Sequence, residues 1–285
     1  MTDSEAKTLT DKRVFSTLHS HTDFSDGKNT AEEMILAAID LGCGEIGISD
    51  HSYLRGEDWV VDEKNYARYF STLAALRDKY ADKIKVYVGI EQDYLSDACT
   101  LDTDYIIGSV HAFENDGKYR SIDLSPQLTR EIIEKDFGAD PYLLAERYFE
   151  SVSDVYNRTK CDIVGHFDLV TKFTEVDKTF DTRHPRYIAA RDRALSALLE
   201  SPVVFEINTG AMSRGYRTSP YPDLEVIKEI FARGGKFILT SDSHSITTVN
   251  YALSEVAAYL DSCGIEYFTT LSEVKEYQKR FREKI

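Results

Sequence analysis

The chain has 285 residues, 42% of them apolar, which is enough to build a sizeable core and excludes a disordered protein. Its formal charge of −15 argues against a nucleic-acid partner, because neutralising phosphates takes clustered Lys and Arg. The opening MTDSEAKTLTDKR lacks the apolar run of a signal peptide and no later stretch is apolar for about eighteen residues, so a cytosolic protein without a membrane partner is expected.

In chain order, short β-rich runs alternate with longer helical patterns. VFSTL (14–18) comes first, then a helix over 30–41 with Thr30 as N-cap, Glu33 three residues on and a stop at Gly42. EIGIS (45–49), a helix over 65–80, KVYVGI (85–90), DYIIGSV (104–110) and a helix over 141–157 follow. DIVG (162–165), VVFEI (203–207) and KFILT (236–240) are interleaved with helices over 185–199, 223–233 and 246–260. IEYFT (265–269) leaves open an eighth strand, and LSEVKEYQKRFREKI reads as an amphipathic surface helix. This alternation predicts an α/β protein with parallel strands and helical crossovers; seven strands suit a barrel better than two sheets. With no internal repeat or linker, a single domain over 1–285 is expected. Cys43, Cys99, Cys161 and Cys263 form no C-x-x-C pair, so they are expected to be reduced and mostly buried.

Six of the seven histidines fall where strands end. His19 and His21 follow the first strand, Asp50 and His51 the second, and Glu91 the third. His111, His166, Glu206 and the pair Asp242/His244 mark the fourth to seventh. In a parallel barrel these ends gather on one face, where active sites are built. His-x-His in extended chain points both rings the same way, and Asp242-Ser-His244 repeats that spacing. The set is rich in carboxylate and imidazole and has no thiolate, which suits zinc, manganese or iron. Glu206 is expected to orient another donor, while His184 lies outside the pattern as a surface or helix-start residue.

The pieces HSHTDFSDG, SDH (49–51), GIE (89–91), GSVH (108–111), VGHFD (164–168) and SDSH (241–244) together resemble the polymerase and histidinol phosphatase (PHP) family. FEINTGAMSRGYRTSPYP and VHAFENDGKYRSIDLS are similar to loops of its monofunctional histidinol-phosphate phosphatases, although Ala112 stands where relatives often carry an aromatic residue. The resemblance implies a distorted (β/α)7 barrel with two or three divalent metal ions. One would take His19, His21, Glu91 and Asp242. A second would share Glu91 and add His111 and His166, and a third would take Asp26, His51 and His244.

The activity so implied is hydrolysis of L-histidinol phosphate, a small-molecule phosphate monoester, by a metal-bridging hydroxide. Clustered divalent ions can also reverse the local potential of an acidic protein. Arg214 and Arg217 are candidate phosphate clamps, and the resemblance suggests Lys172 as another cationic contact. Asp242 or His244 could protonate the leaving alkoxide. Asp93, Tyr119 and Phe24 are candidates for reading the amine and imidazole. The alternatives are another phosphoester substrate (a nucleotide, a nucleic-acid end or phosphotyrosine) or a noncatalytic metal-binding regulator.

Overall fold

A computed structural model describes residues 15–97 and 102–284, so the polar opening segment, Val14 and Cys99 lie outside the described residues. Seven parallel strands stand in the order β1 (Ser16–Thr17), β2 (Glu45–Ile48), β3 (Lys85–Asp93), β4 (Tyr105–Ser109), β7 (Ile163–Val164), β8 (Val204–Asn208) and β9 (Phe237–Thr240). A separate antiparallel hairpin pairs β5 (Ala112–Asn115) with β6 (Lys118–Ser121). The outer strands of the large sheet approach each other just beyond their ends: Ser243 N donates to His19 O at 3.1 Å, and His21 N donates to Ser243 O at 2.8 Å. The result is a nearly closed (β/α)7 barrel whose seam is made by the two histidine-bearing motifs themselves.

Helices α1 (Ala31–Asp40), α2 (Tyr66–Lys79), α3 (Pro126–Asp136), α4 (Pro141–Thr159), α5 (Thr174–Asp177), α6 (Pro185–Leu199), α7 (Gly210–Ser213), α8 (Leu224–Ala232), α9 (Leu253–Ser262) and α10 (Leu271–Arg282) connect and cover the sheet. In α1 the Thr30 hydroxyl accepts from Glu33 N while the Glu33 carboxylate accepts from Thr30 N, satisfying two otherwise orphaned donors. Met34, Ile35 and Ala38 then face the core, and Gly42 takes a φ of +73° that a side chain would resist. His184 caps α6 by accepting from Arg186 N at 3.2 Å and stacks on Tyr142, away from the other histidines.

Leu18, Tyr105, Ile107, Ile163, Val204 and Ile238, drawn from around the sheet, form one buried cluster inside the barrel. Tyr105 reaches across this interior and donates its phenol to Leu18 O. A Cβ added at Gly47 or Gly89 would collide with that phenol, so both positions must be bare. Gly89→Ala is therefore expected to lower stability by about 1–3 kcal/mol through overpacking. An unchanged thermal midpoint would contradict this account of the interior.

The closing helix is amphipathic, as expected, and its apolar face docks on the barrel interior. One face of α10 is exposed, but Leu271 and Val274 join the interior cluster, and Leu271 N donates to Glu45 Oε2 at 3.0 Å. Lys275 and Gln278 fasten it further to the Asp162 carboxylate and carbonyl, at 2.8 and 3.0 Å. IEYFT contributes a single bridge, Phe268 with Ile238, and is no eighth strand. The helix expected over 246–260 starts only at Leu253, because Ser243, Ser245 and Thr248 bond one another in turns and Ala252 takes a left-handed φ of +54°. The cysteines also depart from the expected burial: Cys161 is buried, Cys43 partly buried and Cys263 exposed, all three free. Among the described residues no helix is long and apolar enough to cross a membrane.

Candidate metal centre

The strand ends bring nine nitrogen- and oxygen-bearing side chains to one mouth of the barrel. Glu91, near the end of β3, lies at the centre. Its Oε2 is 3.2 Å from His19 Nε2, 3.5 Å from His21 Nε2 and 2.8 Å from His51 Nδ1. Its Oε1 is 3.3 Å from His111 Nε2 and 2.9 Å from His166 Nε2. Asp242 Oδ1 completes the first group, 3.7 Å from His19 Nε2 and 3.3 Å from His21 Nε2. Asp26 forms the third with His51 Nε2 at 3.7 Å and His244 Nε2 at 3.2 Å. His21 Nδ1 is also 3.7 Å from Asp26, so this ring stands between the first and third groups.

Divalent cations fit these residues on the structure's own terms. His19 Nε2, both ring nitrogens of His21, His51 Nδ1 and Glu91 Oε2 are buried without a hydrogen-bond partner. Each such atom costs about 1–3 kcal/mol when left unsatisfied. The two nitrogens of His21 face different groups, so these five atoms border neighbouring positions that cations would satisfy. Three sets of donor atoms, His21/Asp26/His51/His244, His19/His21/Glu91 and His51/Glu91/His111, each lie within 4.8 Å of one another. Backbone strain supports the same site: Asp242 adopts φ +47°, uncommon outside glycine, and its neighbour Ser243 is held by the seam.

Electrostatics decides which donors carry protons. Burial, then the neighbouring His244 and His51, lower the His21 pKa to about 3, so the ring is neutral near pH 7, with an electron pair on one nitrogen and a proton on the other. Burial opposes protonation of His19, His51 and His111 as well, but nearby carboxylates outweigh it and raise all three above 6.5. Burial alone would raise Glu91; the imidazoles of His19, His51 and His111 instead hold it well below the usual carboxylate range. Metal uptake near neutral pH must therefore expel protons from the raised imidazoles, and affinity must fall as pH drops from 8 to 6. Dye-detected proton release on adding zinc to metal-free protein tests this; equal affinity at both pH values with no release contradicts it.

A ring of buried partners aims the donors. Glu206 accepts from His19 Nδ1 at 2.5 Å, Thr240 Oγ1 at 2.6 Å, His166 N at 2.8 Å and Asn208 Nδ2 at 2.9 Å, so it stands behind the His19 imidazole and holds the backbone that carries His166. Asp50 accepts from Thr22 N at 2.7 Å and from the Ser25 hydroxyl, fixing the turn that carries Asp26. Asp93 lies 3.1 Å from His111 Nδ1.

That placement corrects three substrate-contact expectations. Asp93 is buried behind His111 rather than open to a ligand. Phe24 packs edge-on against Tyr69, and Tyr119 pairs with Glu114 in the hairpin; neither lines the cavity above the cluster. This cavity, about 210 Å³, has Trp59, Leu124 and Tyr216 as apolar walls and Asp123, Lys172 and Arg214 as charged ones. Trp59 meets His51 and His111 edge-on at 4.8 and 5.6 Å between ring centroids.

Lys172 and Arg214 thus reach the cavity, and Arg217 does not. Arg214 holds Asp242 Oδ2 at 3.0 Å and His244 Nδ1 at 3.1 Å, leaving its buried Nε unpartnered. Arg217 turns away: it donates to the Thr171 hydroxyl and to Ser219 Oγ, and its guanidinium lies 4.7 Å over the Tyr221 ring. Contrary to its expected role as a phosphate clamp, Arg217 lies outside the cavity lining, its guanidinium engaged by Thr171, Ser219 and the Tyr221 ring.

Sequence reading missed Trp59, Asp123, Leu124 and Tyr216. The first is the chain's one tryptophan, a usable signal in an otherwise polar loop. Asp123 lay beyond a hairpin that was not foreseen, although Asp116-Gly117 is a recognised turn pair and both residues take positive φ. Helix α3, capped by Ser125 and opened by Pro126, was missed with it.

Known proteins resemble this chain in sequence and in fold. A Schizosaccharomyces pombe protein named probable histidinol-phosphatase is 29% identical over 256 residues, covering 82% of this chain and 81% of its own. The histidinol-phosphatase of Lactococcus lactis subsp. lactis is 26% identical over 273 residues, covering 90% and 94%. Among solved structures, the hisK protein of Listeria monocytogenes superposes with a TM-score of 0.74 at 23% identity, covering 84% of this chain and 99% of that one. The Lactococcus lactis histidinol phosphate phosphatase, solved with zinc, L-histidinol and phosphate, superposes with a TM-score of 0.64 at 19% identity, covering 89% and 95%. The profile of the PHP domain matches residues 17–210, a span that carries seven of the nine clustered donors and ends before Asp242 and His244. With most of its length inside that match and its strands closed into the same barrel, the chain belongs to the PHP domain family.

Proposed function

We propose that this chain is a metal-dependent phosphomonoesterase that hydrolyses L-histidinol phosphate to L-histidinol and phosphate, as one functional unit over residues 1–285. The observation that carries the reading is the meeting of nine donors around Glu91 beneath a cavity with two cationic side chains, Lys172 and Arg214. Relatives named histidinol-phosphatase, matched over more than four fifths of this chain, support the substrate. Two or three ions of zinc, manganese or iron would be held by His19/His21/Glu91/Asp242, by Glu91/His111/His166 and by Asp26/His51/His244. When bound, they supply Lewis acidity, lowering the pKa of water to about 7 and offsetting charge on phosphoryl oxygens.

The chain's own groups do the rest. Lys172 Nζ and the Arg214 guanidinium bind phosphoryl oxygens, which explains how a protein of net charge −15 accepts an anion. Trp59, Leu124 and Tyr216 exclude water from one side of the cavity. Asp242 or His244 relays to the leaving alkoxide the proton it needs, directly or through a water. A cytosolic setting without nucleic-acid or membrane partners completes the reading.

Phosphate release from L-histidinol phosphate by protein loaded with manganese, iron or zinc is the direct test. Absence of turnover with every metal, in protein whose bound metal is verified by elemental analysis, would overturn the assignment.

A further inference from the structure

Four carboxylates line the cavity, and one has no ion pair with the cluster. Asp26, Glu91 and Asp242 each face its imidazoles, whereas Asp123 is held by Lys172 Nζ at 3.1 Å. The two side chains are only 18% and 10% exposed, so water stabilises neither charge well and each depends on the other. The backbone around Asp123 is also fixed. Ile122 N donates to His111 O at 2.9 Å, Thr129 Oγ1 donates to Ile122 O at 2.9 Å, and Ser125 caps the helix that follows.

A phosphate drawn to Lys172 would take away the counter-ion of Asp123. It would leave a poorly hydrated carboxylate facing another anion, a costly arrangement. The cost vanishes if the ligand brings its own cation within reach of Asp123. A phosphate monoester of an amino alcohol does so, since its ammonium and phosphate sit a few bonds apart. Its two ends can replace the two halves of the internal pair, and the cavity keeps its charge balance. Leu124, adjacent in sequence and 55% exposed, offers apolar surface beside the same position.

We propose that Asp123 and Lys172 are a specificity pair that works by ion-pair exchange: Lys172 passes to the substrate phosphate while Asp123 receives the substrate ammonium. The site thereby selects phosphate monoesters of amino alcohols over those of uncharged or acidic alcohols. This rests on the phosphomonoesterase reading above and narrows its substrate class. Asp123 acts through binding and takes no part in bond breaking.

The test compares metal-loaded wild type and Asp123→Asn on L-histidinol phosphate and on 3-(imidazol-4-yl)propyl phosphate, which differs only in lacking the amine. The ratio of kcat/KM, amine-bearing over amine-free, is expected to fall at least about tenfold in the variant, mainly through KM. Asp123→Glu should restore part of the ratio. An unchanged ratio, including one in which both substrates decline together, overturns the proposal and leaves Asp123 a structural residue. A measurement on wild type alone guards against a variant that does not fold. Because both products break the same ion pair, L-histidinol should tighten inhibition by inorganic phosphate roughly threefold or more, and the amine-free alcohol should not. Equal phosphate inhibition with either alcohol overturns the exchange. Wild type that hydrolyses neither ester refutes the phosphomonoesterase reading itself, whereas hydrolysis of both with no preference refutes only the exchange.

Discussion

Glu91→Gln is expected to leave the protein without its full complement of divalent ions and to reduce kcat at least about 10³-fold, beyond the 10–100-fold typical of losing a supporting partner. The reason is position. Both oxygens of Glu91 serve the cluster, one approached by His19, His21 and His51, the other by His111 and His166. An amide keeps the shape but replaces one oxygen by an NH2 that carries partial positive charge toward any cation and offers no electron pair. It also removes the largest of the charges that raise the pKa of His51 and His111, so both pKa values fall. Elemental analysis and a phosphate-release assay on the same preparation measure both effects. Wild-type metal content together with wild-type turnover would show that Glu91 is not central.

The second large effect is expected at Glu206, and it should appear first in stability. All four groups that reach its carboxylate are donors: an imidazole nitrogen, a hydroxyl, a backbone N–H and a side-chain amide. Only an acceptor with two oxygens satisfies them. Glu206→Ala strands these donors in a buried site and should cost about 3–5 kcal/mol. At about 2–4 °C per kcal/mol for a chain near this size, the thermal midpoint should fall by about 6–20 °C. Metal affinity should drop about 10–100-fold, because His19 loses the partner that fixes its tautomer. Glu206→Gln is no rescue, since its NH2 must face a donor. A Gln variant with unchanged midpoint and affinity would refute this account.

The gathering of the nine candidate donors was legible because their chemistry is written in residue type and register. His19-x-His21 and Asp242-x-His244 sit at strand ends, and parallel strands deliver their ends to one face. The barrel was legible for a related reason: β2, β8 and β9 are buried along their whole length and read as continuous apolar-rich runs. Local periodicity fails for what depends on distant contacts. In α10 the exposed charges dominate the pattern, and the interior role of Leu271 and Val274 follows only from where the helix docks. Arg214 and Arg217 are three residues apart and alike in sequence, yet Asp242 draws one to the cavity while Thr171 and Tyr221 engage the other. Asp93 and Asp123 show the same limit. Which carboxylate supports a histidine and which meets the cavity is decided by the fold.

The lone tryptophan gives the molecule an optical probe of its own. Indole emission responds to a proton or charge on a neighbouring ring, and Trp59 lies edge-on to His51 and His111, two of the candidate donors. With no other indole in the chain to dilute the signal, loading kinetics can be followed by fluorescence in stopped flow without attaching a dye.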